Sequence, residues 1–276
     1  MTNGNSIDMR HLRIAVLAKQ VPDTRNVGPE AMTAEGTVNR AALEAVYNPE
    51  DLNALGMALT IKEQLKNVEI VVVSMGPERA REVVREAIWR GADRGFVLSD
   101  RRFAGADTLA TSYAISCAIK QIGEVDLVLA GRQAIDGDTA QTGPQVAEKL
   151  DMPQITYAEE LMEISDKEIV VKRRIADGTE TVKCQLPAVV TVTGSAPKCR
   201  YKHAHRMLQM RDPEIPILSA DDVNPDFSRI GSAGSPTKVK KIENVVLTQK
   251  ESVKVEPSQE ALNALMSELV AKHIIG

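Results

Sequence analysis

Residues 131–144 read G-R-Q-A-I-D-G-D-T-A-Q-T-G-P, directly after the apolar run 126–130 and directly before a helical pattern. A strand, a glycine-rich loop and a helix in that order aim free backbone N–H groups and the positive end of the helix dipole at one point. Phosphate is the group such a point suits best. The chemistry implied is retention of a nucleotide or dinucleotide. The spacing fits neither G-x-G-x-x-G nor G-x-x-x-x-G-K-[ST], so neither the common dinucleotide fingerprint nor the P-loop accounts for it. Two carboxylates in the loop, Asp136 and Asp138, would repel phosphate oxygens. One resolution has the backbone amides with Thr139, Gln141 and Thr142 facing the phosphates. The acids would then cap turns or meet ribose hydroxyls, with Arg132 neutralising them locally. The competing reading is an acidic helix start, with Asp138 as cap and no ligand.

Three other segments belong to what should be the same edge: Lys19 to Thr24 (K-Q-V-P-D-T) and Ser74 to Pro77 (S-M-G-P) end strand-like runs, and Gly105 to Thr108 (G-A-D-T) precedes the third helix. Open α/β sheets bind ligands at the carboxyl ends of their strands. Each segment alone reads more readily as an ordinary turn or, for Asp107, a helix cap; their shared edge is what raises them. His11, His203, His205 and His273 do not pair with carboxylates or cysteines at ligand spacing, so no metal site is expected. No G-x-S-x-G or H-E-x-x-H occurs, which leaves no obvious nucleophile or general base for acyl or peptide chemistry, and any redox chemistry must come from a cofactor.

The elements that would position these groups are short Val-, Ile- and Leu-rich runs at Leu12 to Ala18, Val68 to Ser74, Gly95 to Leu98, Leu127 to Ala130 and Ala188 to Thr193. Their apolarity is continuous rather than alternating, the mark of strands buried on both faces. Between them, Leu52, Leu55, Leu59 and Leu65 mark one helix, Val83, Val84, Ala87 and Ile88 a second, and Leu109, Tyr113 and Ile119 a third. Asn48 before Pro49, Glu50 and Asp51 supplies a helix cap, a first-turn proline and dipole-compatible acids. Glu168 to Ile175 and Glu180 to Gln185 flank Ala176-Asp177-Gly178 as a hairpin. The fold class expected is α/β, a doubly wound, mostly parallel sheet with an edge hairpin and a C-terminal arm. Residues 1–11 form a polar extension, 12–193 the α/β nucleotide-binding domain, and 194–276 a proline-punctuated arm ending in a helix marked by Leu262, Leu265, Leu269 and Val270.

Composition narrows the partners. The chain has 276 residues, a net charge of -4 and 3% aromatic residues, which argues against nucleic acid. Cys117, Cys184 and Cys199 lack C-x-x-C spacing, which suits a reducing compartment, with cytoplasm the expectation. The N-terminus has no apolar signal core, and no apolar run approaches the roughly 20 residues a membrane-spanning helix needs.

The stretch Ala130 to Leu150, with K-Q-V-P-D at Lys19 to Asp23, N-P-E-D at Asn48 to Asp51 and S-M-G-P at Ser74 to Pro77, resembles the beta subunit of electron-transfer flavoproteins. The resemblance extends over Val171 to Val192, with Lys172-Arg173-Arg174, Asp177-Gly178 and L-P-A-V-V at Leu186 to Val190. It implies a heterodimer whose alpha subunit carries an FAD, while this chain holds an adenine nucleotide and performs no catalysis alone. In housekeeping members that nucleotide is AMP. In electron-bifurcating members it is a second FAD, which takes hydride from NADH and divides the electrons between ferredoxin and the alpha-subunit flavin. The form D-G-D-T-A-Q-x-G-P, with Gly137, Thr139 and Pro144, is similar to the bifurcating group, as is Gly105 to Ser112. FAD is therefore expected over AMP, with NAD(H) as a transient substrate. Position by position, the resemblance places Leu17, Ala18, Asn48, Pro49, Glu50, Asp51, Ser74, Met75 and Gly76 at the nucleotide. It adds Asp107, Thr108 and Thr111, then Gly131, Arg132, Gln133, Ala134, Ile135, Asp136, Gly137, Asp138, Thr139, Ala140, Gln141 and Thr142. The arm would wrap the alpha subunit. Tyr201 to Met210 matches the family's recognition loop, with Ala204 where a larger apolar residue is usual. That points to a flavin dehydrogenase other than the common acyl-CoA dehydrogenases, or to an acyl-CoA reductase.

Overall fold

A computed structural model describes residues 11–23, 44–237 and 254–275. The polar extension, except His11, lies outside the described residues, as do Thr24 and residues 238–253 of the arm. Five strands are the expected apolar runs: β1 (Leu12–Leu17), β4 (Val68–Met75), β5 (Arg94–Leu98), β6 (Leu127–Gly131) and β10 (Ala188–Val192). Two short strands, β2 (Gln20–Pro22) and β3 (Ala45–Tyr47), pair with each other apart from the main sheet. That main sheet has nine strands, completed by β7 (Gln154–Ile164), β8 (Glu168–Ile175), β9 (Gly178–Gln185) and β11 (Ile217–Leu218), in the order β11-β5-β4-β1-β6-β10-β7-β8-β9.

Both faces are covered, which is why the central strands read as continuous apolar runs. Leu12, Ile14 and Val16 point to the side packed by α1 (Pro49–Gln64) and α2 (Arg81–Arg90). Ala15 and Leu17 point to the side packed by α3 (Thr108–Ile122) and α4 (Thr142–Leu150). From β11 to β7 the neighbours are parallel, while β7, β8 and β9 run antiparallel. Strand order reverses between β1 and β6, so their carboxyl ends diverge around a crevice.

The hairpin is where the sequence puts it, turning through Ala176 and Asp177 into Gly178 at φ +152°. β7 has no such signal, because only Ile155 and Ala158 of its eleven residues are buried and its remainder is largely polar. Midway along it Tyr157 adopts φ +60° at an irregularity in the pairing with β10.

The chain does not leave the domain at residue 193. Ala196, Ile215, Ala220, Val223 and Ile230 are all buried, β11 extends the sheet beyond β5, and α6 (Ala220–Val223) joins the core beside α3. α5 (Ala204–Gln209) rests on α2, with the Trp89 indole donating to the Met210 carbonyl at 2.8 Å. These apolar residues are single and separated by prolines, so no period announces them. The expected terminal helix is α7 (Gln259–Ala271), capped by Ser258, and none of its residues is buried.

Candidate nucleotide site

The crevice at the strand reversal opens into a cavity of about 1350 Å³, and its floor is built at the start of α1. The buried Asp51 carboxylate accepts the Lys19 N–H at 2.8 Å and the Gly131 N–H at 3.0 Å, tying the end of β1 to the end of β6. This approach requires glycine at 131, since a Cβ there would lie 2.4 Å from Asp51 Oδ1 and 2.7 Å from its backbone nitrogen. Glu50 accepts the Gln133 N–H at 2.9 Å and pairs with Arg132 at 3.0 Å. Asn48 stands at the cap position of α1, yet its side chain makes no cap bond. It donates to the Gln133 carbonyl at 2.9 Å and accepts the Ile135 N–H at 3.2 Å. The N-P-E-D sequence thus grips the loop that follows β6.

The rim comes from five segments. Met75 ends β4 and Gly76 follows it, a 3-10 turn at Arg101–Phe103 follows β5, and Asp107, Thr108 and Thr111 open α3. Residues 137–142 lead into α4, and Pro236 with Thr237 complete the rim. Asp107 caps α3 through the Ala110 N–H at 3.0 Å. The same carboxylate accepts the Thr237 hydroxyl at 2.8 Å and its N–H at 3.2 Å, while the Asp107 N–H reaches Ser235 Oγ at 2.8 Å. A turn 128 residues away in sequence is thereby buttoned to the mouth of the cavity.

Three helices begin at this cavity, and their starts differ. α1 carries Glu50 and Asp51 in its first turn, and α3 is capped by its own Asp107. α4 has neither a side-chain cap nor an acid in its first turn. Its Thr142 and Gly143 N–H groups have no intrahelical acceptor, and Pro144 has no N–H to offer. The start of α4 is the one of the three suited to an anion.

The loop acids have partners within the chain. Asp136 pairs with Lys19 at 2.7 Å and does not line the cavity, while Asp138, at φ +50°, accepts from Gln133 Nε2 at 2.8 Å. Two expectations are corrected here. Arg132 does not neutralise the loop acids, because Glu50 holds it and Tyr157 lies beneath its guanidinium at 5.5 Å. Asp138 does not cap α4, whose preceding residue is Gln141. The electrostatics of floor and rim are opposite. Burial pushes the Asp51 carboxyl from 3.8 up to about 7, against the bonds it accepts. Burial also acts on Asp107, but the hydrogen bonds from Ala110 and Thr237 outweigh it and hold that carboxyl below its ordinary value.

Of the residues expected at the site, Leu17, Ala18, Asp51, Met75, Gly76, Asp107, Thr108, Thr111 and residues 131–134 and 137–142 line the cavity. Asn48, Pro49, Glu50, Ser74, Ile135 and Asp136 do not. Asn48 and Glu50 support the loop from behind, and Asp136 faces Lys19. The lining also includes Ser99, Asp100, Arg101, Phe103, Gln145, Pro236 and Thr237, which no motif in the sequence singles out. Ser99 to Phe103 follows a strand at the same edge, so the edge rule alone could have found it; Pro236 and Thr237 carry no local signal. Among the described residues no cluster of His, Cys, Asp or Glu could hold a metal ion, and no helix is long and apolar enough to cross a membrane.

Comparison with known proteins gives a consistent picture. Residues 35–223 match the family model described as the electron transfer flavoprotein domain. The subunit CarD of the caffeyl-CoA reductase-Etf complex of Acetobacterium woodii is 41% identical over 265 residues, covering 96% of this chain and 100% of that protein. The electron transfer flavoprotein subunit beta of Megasphaera elsdenii is 40% identical over 275 residues, with the same coverage of 96% and 100%. The acryloyl-CoA reductase electron transfer subunit gamma of Anaerotignum propionicum is 37% identical over 278 residues, again at 96% and 100%.

Proposed function

The chain belongs to the electron transfer flavoprotein family, and from that premise we propose that it is a beta-type subunit whose cavity holds FAD rather than AMP. That FAD would supply hydride acceptance from NADH and division of the electron pair between ferredoxin and the flavin of an alpha-type partner. The observation that carries the choice is the cavity itself. At about 1350 Å³ it exceeds the roughly 300–1,000 Å³ of ordinary small-ligand pockets, and a mononucleotide would leave much of it unfilled.

The residues fit such a ligand. The uncapped start of α4 suits a phosphate, and Gly137 faces open space with no protein atom within 4 Å of where a Cβ would stand. Arg101, which also lines the cavity, has no ion-pair partner among the described residues and would meet a second anionic group. Floor and rim position the nucleotide and contribute no nucleophile, in keeping with a subunit that carries electrons only within a complex. The exposed apolar residues Leu262, Met266, Val270 and Ile274 of the terminal segment would lie on the alpha-type subunit. The names of the relatives from Acetobacterium and Anaerotignum favour an acyl-CoA reductase as the electron acceptor, and the absence of a long apolar helix among the described residues is in keeping with a cytoplasmic complex.

Heat release of nucleotide from the purified heterodimer tests the proposal. Two FAD per heterodimer and NADH oxidation coupled to ferredoxin reduction are expected. AMP with a single FAD would overturn it in favour of the housekeeping carrier.

A further inference from the structure

Gln145 lies in the first turns of α4 and lines the cavity, yet its Oε1 is buried with no hydrogen-bond partner among the described residues. Buried polar atoms in folded proteins are overwhelmingly paired, so an unmet acceptor in a cavity wall calls for a donor supplied from the cavity. The helix cannot shift to find one. Gly143 sits so close to the sheet that a Cβ would lie 2.5 Å from Thr191 Cγ2, and Val146 and Ala147 are fully buried. Nor does Gln141, one turn earlier, supply the donor: its amide group is engaged at Thr108, whose hydroxyl its oxygen accepts at 2.9 Å, and no hydrogen bond runs from it to Gln145 Oε1.

We infer that Gln145 is a specificity-determining residue of the site, its Oε1 accepting a hydrogen bond from a sugar or ribityl hydroxyl of the bound nucleotide. The inference rests on the nucleotide reading above. An amide oxygen repels phosphate and carboxylate, which are acceptors themselves, so the group it meets is a donor. Thr142 and Gly143, whose free N–H groups suit a phosphate, lie within one helical turn of it. In a nucleotide the group bonded directly to phosphate is the hydroxyl-bearing sugar or ribityl chain, so a phosphate at the helix start carries a hydroxyl to Gln145.

The test is titration of the nucleotide-stripped full-length protein with FAD, AMP and inorganic pyrophosphate, in the wild type and in Gln145→Leu. Leucine removes an unmet buried acceptor, so the ligand-free thermal midpoint should hold or rise. The dissociation constant for FAD should increase about tenfold, while that for pyrophosphate, which has no hydroxyl-bearing carbon chain, should stay unchanged. Unchanged FAD affinity overturns the inference. An equal loss for pyrophosphate, or a fall in ligand-free stability alongside the loss, also overturns it, since either marks a structural role. A wild type that binds neither FAD nor AMP overturns the nucleotide reading itself, which a Gln145-specific failure would leave standing.

Discussion

The floor and the rim of the cavity are made from the same kinds of residue but are finished differently. On the floor, Asn48, Glu50 and Asp51 have their polar atoms answered by backbone groups of the two strand ends and of the loop that follows β6. Around the rim, α4 starts without a cap, Gln145 Oε1 is unmet, and Gly137 borders open space. The glycines make the contrast sharp. Gly131 is required by Asp51 pressed against it, whereas Gly137 is required by nothing in the chain, so any need for glycine there comes from a ligand. A floor answered by protein fixes the geometry, and a rim left open is where a bound molecule completes the structure.

The largest expected effect falls on the floor. Gly131→Ala drives a methyl into the Asp51 carboxylate and backbone; overpacking of this kind costs about 3 kcal/mol, read as a lower denaturation midpoint at unchanged slope. An alanine variant as stable as wild type would break the account of the floor. The floor also carries a pH dependence of comparable size. Burial raises the folded-state carboxyl of Asp51 from 3.8 to about 7, so its contribution to stability is fully present below 3.8 and is lost as pH rises through 7. Each tenfold change in proton affinity between the folded and unfolded chain is worth about 1.4 kcal/mol, so stability should decline across that window by roughly 4–5 kcal/mol at most. Asp51→Asn should flatten the profile; a wild-type profile already flat across the same window would remove Asp51 as its source.

This division also explains what could be read in advance. The central strands and helices α1 to α4 were legible because burial on both sheet faces imposes continuous apolar runs, and the carboxyl edge follows from alternating strands and helices. β7 was not, because a strand with two buried residues carries no period. The return of residues 194–237 was hidden for a related reason: Ile215, Val223 and Ile230 each fill one gap and repeat at no interval. Within the site, the glycine-rich loop was legible as a shape, but its charge pairing was not. Lys19 meets Asp136 across 117 residues, and Asn48 abandons the cap its position suggests to hold Gln133 and Ile135. Such pairings are set by tertiary placement, to which local sequence is blind.

At the rim the expected effects are smaller and fall on the ligand. Gly137→Asp meets no protein atom, so the ligand-free chain should keep its stability within about 0.5 kcal/mol. The added carboxylate would face phosphate, and FAD retention should fall at least tenfold, about 1.4 kcal/mol, in equilibrium dialysis. Retained affinity would show that the loop does not face the phosphates.

The smallest effect is expected at the fastening of residues 231–237. Thr237→Val deletes the 2.8 Å hydroxyl bond to Asp107 and leaves the backbone bond at 3.2 Å. In so exposed a place the loss should stay below about 1 kcal/mol. Because Pro236 and Thr237 wall the cavity, the nucleotide should dissociate a few-fold faster, in stopped-flow flavin fluorescence, with little change in its association rate. The pH response separates this fastening from the floor. The Asp107 carboxyl is held below its ordinary value, so its contribution is present at neutral pH and is lost as pH falls through that lowered value, the opposite sense to Asp51. Acidification from neutrality should first favour the floor and only later loosen the rim. Dissociation should therefore accelerate at low pH in wild type, and less so in Thr237→Val, whose fastening is already weakened. Equal acceleration in both would detach residues 231–237 from nucleotide retention.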